Sequence, residues 1–347
     1  MKILLATDAW TPQVNGVVRT LTEVLRELGA TGHRVNTVQP GLFRSIPCPF
    51  YPEIRLALSV RRRIDNIIEA LAPDAIHIAT EGPIGLAVRS WCLVHGYDFT
   101  TAFHTRFPEY LAERRLAPSW LTYALLRRFH ARAGGVMVPS ASVRQELSAR
   151  GFAKLVAWGR GVDPDLFNPA RRGSLPDLPR PIFLSVGRVT WEKNLPAFLS
   201  LDLPGSKVVV GGGPQLETLR AQFPQVHFLG RRANGELANL YASADVFVFP
   251  SRTDTFGLVM LEALASGLPV AAYPVAGPLD VVGESGAGML DEDLRRAALA
   301  ALEIPRERCR EYALNFTWKE SATQFLGNLR PCRGLVAEPS RSACMAQ

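Results

Sequence analysis

Two acids, Asp254 and Glu262, bracket seven residues in the stretch ADVFVFPSRTDTFGLVMLEALASGLPV. An apolar run, Val246–Phe249, stops at Pro250, and a hydroxyl-rich loop follows (Ser251, Arg252, Thr253, Asp254, Thr255). Helical spacing then begins near Gly257 and ends at Gly267-Leu268-Pro269. In a parallel α/β sheet such a loop lies outside the carboxyl end of a strand and at a helix N-terminus, where ligands bind. The amides of Phe256, Gly257, Leu258 and Val259 are the orphan donors of that helix start. Phosphates on these amides and hydroxyls on the two carboxylates would suit an anionic, hydroxyl-rich ligand. The alternative is an ordinary strand–loop–helix unit with Glu262 on a solvated face. A second group, Arg188 and Lys193 in GRVTWEKN, follows the apolar run Ile182–Val186. Two cations at a strand end can balance charge growing on a departing diphosphate, or form a solvated basic loop. Gly187 beside them permits close backbone approach.

The elements that must position these residues follow a repeating pattern. Lys2–Thr7 reads as a strand, Val17–Leu28 as a helix and His33–Val38 as a second strand, the opening of a doubly wound domain. Further buried strands are predicted at Ala75–Ala79, Asp98–Phe103 and Gly135–Val138, and a helix over Ser140–Ser148 with Ser140 as N-cap. The segment 168–181, rich in Pro, Arg and Gly, reads as a linker. A second strand–helix series then runs through Ile182–Val186, Lys207–Val210, Val226–Phe228, Val246–Phe249 and Val270–Tyr273. The fold class is therefore α/β, with two doubly wound Rossmann-like domains.

The length of 347 residues suits two domains of ordinary size. No apolar stretch reaches the roughly 18–20 residues of a membrane span. The N-terminal apolar run is interrupted by Thr7, Asp8 and Gln13 and has no small-residue cleavage site after it, so it reads as the first strand of a cytoplasmic protein. Five scattered cysteines without a CxxC point to neither a disulfide framework nor a zinc site. A formal charge of +7 fits an anionic partner: a nucleotide diphosphate, an acidic lipid surface or a nucleic acid. The acidic run Asp291-Glu292-Asp293 precedes a helix and reads as its N-terminal charge set, so no metal site is expected.

From MKILLATDAWTPQVNGVVRTL to about Leu329, and above all in VGRVTWEKN and the Asp254–Glu262 stretch, the chain resembles the retaining nucleotide-sugar glycosyltransferases of group 1 (family 4). It departs from their E-x7-E signature in having Asp as the first acid. The resemblance implies the GT-B architecture: an acceptor-side domain over 1–167, a donor-binding domain over 182–306, a helix over 307–330 crossing back to the first domain, and a disordered tail over 331–347. It also implies roles. Asp254 would bind the transferred sugar and Glu262 the ribose, while Arg188 and Lys193 would hold the diphosphate. Gly16 in VNGVVRT would bring a second helix start to the phosphates, although a turn glycine with no ligand is the alternative. Gly212 of the loop Gly211-Gly212-Gly213-Pro214 would lie beside the nucleoside, with Arg231 walling the base. His104 in TAFHTRFPEY would stand near the sugar, or else be a capping or packing histidine. Family members retain anomeric configuration by a front-face route in which the leaving diphosphate helps deprotonate the acceptor. This route needs no protein nucleophile, metal or cofactor beyond the nucleotide-sugar substrate.

The expected reaction is transfer of a hexose, mannose from GDP-mannose, to a membrane lipid or glycan. Competing readings are a UDP-sugar-dependent transferase to diacylglycerol, a sugar-nucleotide epimerase on the same architecture, and a nucleic-acid binder. The last lacks any DNA or RNA motif. Trp120, Tyr123 and Phe129, flanked by Arg114, Arg115, Arg127, Arg128 and Arg132, with Arg61–Arg63 nearby, could form a peripheral contact with anionic lipid on the inner face of the plasma membrane. Alternatively, they are a helix with a core-facing stripe and a solvated basic face.

Overall fold

Strand β1 (Lys2–Ala6) has no polar alternation, and Ile3, Leu4, Leu5 and Ala6 are all fully buried. A strand apolar on both faces belongs in the middle of a parallel sheet covered by helices. The computed structural model, which describes residues 1–13, 15–48, 51–113, 116–173 and 178–332, places it there. The first sheet pairs β1 with β2 (Arg34–Val38) on one side and β5 (Ala75–Ile78) on the other, continuing through β6 (Thr100–Ala102), β7 (Gly135–Val138) and β8 (Leu155–Ala157). The second contains β9 (Ile182–Val186), β10 (Ser206–Val210), β11 (His227–Gly230), β12 (Val246–Phe249), β13 (Val270–Ala272) and β14 (Gly288–Leu290), in the order β11-β10-β9-β12-β13-β14. Every pairing in both sheets is parallel. In each, the chain starts in the middle and then adds strands on the opposite side. The gaps between β1 and β5 and between β9 and β12 are thus the switch points where such sheets bind ligands.

The paired α/β layers of the sequence reading are present, with additions. An antiparallel hairpin, β3 (Ser45–Cys48) with β4 (Tyr51–Ala57), was not anticipated; Pro47 and Pro52 disguise it, and such prolines are tolerated only on edges. The edge strands β8 and β14 are three residues each, too short to leave a pattern. Ser140 caps its helix, Ala141–Ala149, as expected, accepting from the Val143 amide at 3.4 Å.

The end of the chain differs from expectation. The single crossing helix predicted over 307–330 is two helices, Arg306–Ala313 and Trp318–Asn328. The first packs on the second domain through Cys309 and Ala313. The break falls where Thr317 turns outward to cap the next helix, its hydroxyl accepting from the Glu320 amide at 3.1 Å. Trp318–Asn328 packs on the first domain. There Trp318, Ala322 and Phe325, with Leu329 just beyond, pack on Ile3, Leu5 and Trp158. The predicted disordered tail lies outside the described residues except for Pro331 and Cys332, which are ordered: Pro331 bridges Ala75, and the Cys332 amide donates to Asp74 O at 2.8 Å.

Candidate functional site

The loops after β9 and β12 meet at the switch point of the second sheet. Asn194 Nδ2 donates to Pro250 O (3.1 Å) and Ser251 Oγ to Glu192 O (3.0 Å), tying one loop to the other. Between them lies a small pocket lined in part by Gly187, Arg188, Lys193 and Ser251. Lys193 Nζ sits 2.5 Å from Asp254 Oδ1, so two residues assigned separately from sequence form one ion pair. Asp254 Oδ2 is buried without a protein partner, leaving an acceptor for a hydroxyl donor. Arg188 Nη2 bonds Glu192 Oε1 at 3.0 Å, and Glu192 is buried. Gly187 has open space where a Cβ would stand.

The glycine triplet after β10 has a packing role. A Cβ on Gly211 would fall 1.8 Å from Gly187 O and one on Gly213 2.4 Å from Val189 O, so only glycines let the β9 and β10 loops pack this closely. The Val189 amide donates to Gly212 O at 3.0 Å. The Arg231 side chain lies across Gly212, its Nε 2.9 Å from the position of a Cβ, so these two candidates stand together.

Gly257 (φ +86°) turns the chain into the helix Leu258–Ala265, a conformation an L-residue adopts only at a cost. No side chain caps that helix, so its first amides are available to an anion. Phe256 beside it is buried. The opposing helix, Gly16–Ala30, is capped by Asn15, whose Oδ1 accepts from the Val17 and Val18 amides at 3.0 Å each. A Cβ on Gly16 would stand 3.6 Å from Leu258 Cδ1, so the two helix starts face each other across the interdomain cleft.

Glu262 is buried and already engaged. Arg19 Nη1 of the first domain stands 2.5 Å from its Oε1, and Tyr241 OH donates to its Oε2 at 3.1 Å. Burial, then the neighbouring Glu262 carboxylate, pushes the Tyr241 phenol well above its ordinary range, so it stays a donor. The solvated-face alternative for Glu262 is excluded by its burial. Arg19 and Tyr241 were not singled out from sequence: both lie far along the chain from Glu262, and only the fold brings them to it.

His104 follows β6. Its carbonyl accepts from Thr255 Oγ1 of the second domain at 2.9 Å, and its Nδ1 is 3.3 Å from Arg160 Nη2. Burial, then Arg160, then His77 hold the imidazole well below its ordinary pKa, hence neutral. Asp293 caps the helix Leu294–Ala300, while Asp291 and Glu292 pair with Arg296 and Arg252. Among the described residues no group of three His, Cys, Asp or Glu is placed to hold a metal ion.

The basic helix differs from the sequence reading. Arg114 and Arg115 lie outside the described residues. In the helix Ser119–His130, Tyr123 and Phe129 are buried in the first domain, while Trp120 (70 % exposed), Leu121 and Leu125 (61 %) face outward. Arg127, Arg128 and Arg132 are exposed. Among the described residues no helix is long and apolar enough to cross a membrane.

Two doubly wound domains facing across a cleft, with a cation group and an uncapped helix start on one wall, are the GT-B architecture of sugar-transferring enzymes. Residues 14–166 match the profile of Glycosyltransferase Family 4 and residues 168–315 that of Glycosyl transferases group 1. A GDP-mannose-dependent alpha-mannosyltransferase of Mycolicibacterium smegmatis is 30% identical, the alignment covering 96% of this chain and 98% of the relative. The sulfoquinovosyl transferase of Arabidopsis thaliana is 35% identical over 71% of this chain, which spans about half (51%) of that relative's length. Among solved structures, a sucrose-phosphate synthase from Thermosynechococcus elongatus superposes with a TM-score of 0.76 at 21% identity over 94% of this chain and 97% of that one, a likeness of fold. The chain belongs to the group 1 glycosyltransferases.

Proposed function

We propose that this glycosyltransferase is a retaining, metal-independent enzyme that moves mannose from GDP-mannose to a membrane lipid or glycan, forming an α-link. The observation that carries the reading is the single wall formed by Arg188, Lys193, Asp254 and the uncapped helix start at Gly257. A diphosphate placed there meets two side-chain cations and helix amides, which supply the charge balance that a metal ion supplies elsewhere. Asp254 Oδ2 is free to orient a sugar hydroxyl. The site presents no protein nucleophile in this reading; the leaving diphosphate oxygen takes the acceptor proton as the new bond forms on the same face. The nucleotide sugar is a substrate, and no other cofactor enters. Relatives named for GDP-mannose and, in Streptococcus pneumoniae, for alpha-monoglucosyldiacylglycerol synthesis support mannose as the sugar and a lipid as the acceptor. The outward Trp120, Leu121 and Leu125 beside Arg128 and Arg132 support peripheral contact with the cytoplasmic face of an anionic membrane rather than with nucleic acid.

Thermal unfolding in the presence of GDP-, UDP- and ADP-sugars tests the donor. GDP-mannose at about a hundred times its Kd should stabilise the fold by roughly 2.7 kcal/mol, with the other bases doing less. Stabilisation by a UDP-sugar alone would overturn the GDP assignment. Proton NMR of the product should show an α-anomer; a β-anomer would end the retaining reading.

A further inference from the structure

His104 and Arg160 form a contact that the proposed reaction does not by itself require. Arg160 is 7 % exposed, and no carboxylate lies among its described partners. Its Nη1 donates to Trp158 O (2.6 Å) and Gly159 O (3.1 Å), and its guanidinium lies over the Trp158 ring, 4.6 Å from the centroid. That leaves Nη2 aimed at His104 Nδ1, 3.3 Å away, while Trp158 packs edge-on against the imidazole with centroids 5.4 Å apart. A guanidinium only donates, so the nitrogen facing it must accept. The segment carrying Arg160 is in turn held by the crossing helix. Gln324 Oε1 accepts from the Gly159 amide (2.8 Å), Ser321 Oγ donates to Gly159 O (2.8 Å), and a Cβ on Gly161 would collide with the Trp318 amide at 2.3 Å.

We infer that Arg160 is a positioning residue: it makes His104 Nδ1 the acceptor, so that His104 Nε2 carries the proton and donates it as a hydrogen bond to a hydroxyl of the transferred sugar. Nε2 is buried and has no protein partner, the expected condition of a donor reserved for a ligand. The groups with titratable or fixed charge that act on the imidazole are Arg160, which has no acceptor, and His77, which is buried with Nδ1 2.9 Å from Thr100 Oγ1 and Nε2 without a protein partner. The arrangement carries orientation from the helix Trp318–Asn328 to the sugar through two bonded steps. The sugar contact rests on the transferase reading above; the tautomer does not.

The test uses the full chain labelled with ¹⁵N-histidine, the His104 signals being those lost in His104→Gln. The wild-type spectrum should show a protonated Nε2 and an unprotonated Nδ1. In Arg160→Met the Nδ1 shift should move toward a tautomer mixture, and in Arg160→Lys, which restores one donor, it should return part of the way. With GDP-mannose, Arg160→Met should lower kcat at least about tenfold, as loss of a group that fixes a tautomer does, with free GDP affinity unchanged. A wild-type His104 protonated on Nδ1, or an Arg160→Met spectrum identical to wild type, overturns the proposal. The expected tautomer in a protein that neither binds nor turns over any nucleotide sugar would instead overturn the transferase reading while leaving the positioning role standing.

Discussion

At the scale of single residues, charge partners decide what each group can do. Lys193 and Asp254 neutralise each other at 2.5 Å; in the proposed reaction, a diphosphate arriving beside Lys193 would release the carboxylate to the sugar. Arg188→Ala and Lys193→Ala should each lower kcat by roughly two orders of magnitude without loss of cooperative unfolding, measured by steady-state kinetics and urea titration. The activity that remains in wild type should persist in excess EDTA; loss restored by magnesium would transfer the charge-balancing role to an ion. Glu262 presents a different case, because Arg19 reaches it from the other domain. A double-mutant cycle of Arg19→Met and Glu262→Gln should give a coupling of about 0.5–3 kcal/mol in unfolding free energy, as for residues in one charge network. Additive effects would mean that the two domains do not communicate through this pair. Arg188, Lys193 and Asp254 were legible in the sequence because each lies in the loop that follows an apolar strand, and Glu262 because of its spacing from Asp254. Arg19, Tyr241 and Arg160 were not, because their roles come from contacts between segments far apart in the chain.

At the scale of elements, the sequence pattern located strands well and faces poorly. Buried parallel strands are short apolar runs, which stand out from their surroundings. The helix Ser119–His130 carries bulky residues on both sides, so composition alone did not separate the core stripe (Tyr123, Phe129) from the outer one (Trp120, Leu121, Leu125). The outer stripe now makes the membrane idea specific. Trp120→Ser with Leu125→Ser should weaken binding to anionic vesicles at least about tenfold, since each side chain is worth roughly 1.5–3 kcal/mol when buried. Turnover of a soluble, short-chain acceptor should stay unchanged, because these side chains face away from the core. Equal vesicle binding by the double variant and wild type, read by co-sedimentation, would exclude this stripe as the contact. The break between the last two helices was hidden for a similar reason: Asn315-Phe316-Thr317 contains no Gly or Pro, and it is the Thr317 cap that ends the run.

At the scale of the whole molecule, the first domain is completed by residues 318–332. His77 shows how tightly: its ring lies edge-on to Phe325 (4.9 Å) and Trp158 (5.8 Å), and burial lowers its pKa to about 3. The unfolded chain takes up a proton at His77 near pH 6.5 that the folded protein refuses. Stability should therefore fall as pH drops from about 6.5 toward 3, this residue contributing about 1.4 kcal/mol per pH unit, with no contribution above that window. His77→Leu, although less stable at neutral pH, should show the shallower acid limb in urea titrations at a series of pH values; parallel limbs would mean that His77 is not a source of acid sensitivity. The same architecture has a consequence during synthesis. Trp318, Ala322 and Phe325 cover β1, yet they are made about 300 residues after it. The core of the second domain draws on nothing made after Phe316. The first must hold Ile3, Leu5 and Trp158 uncovered until Leu329 has emerged, so the domain made first is the last to complete its core.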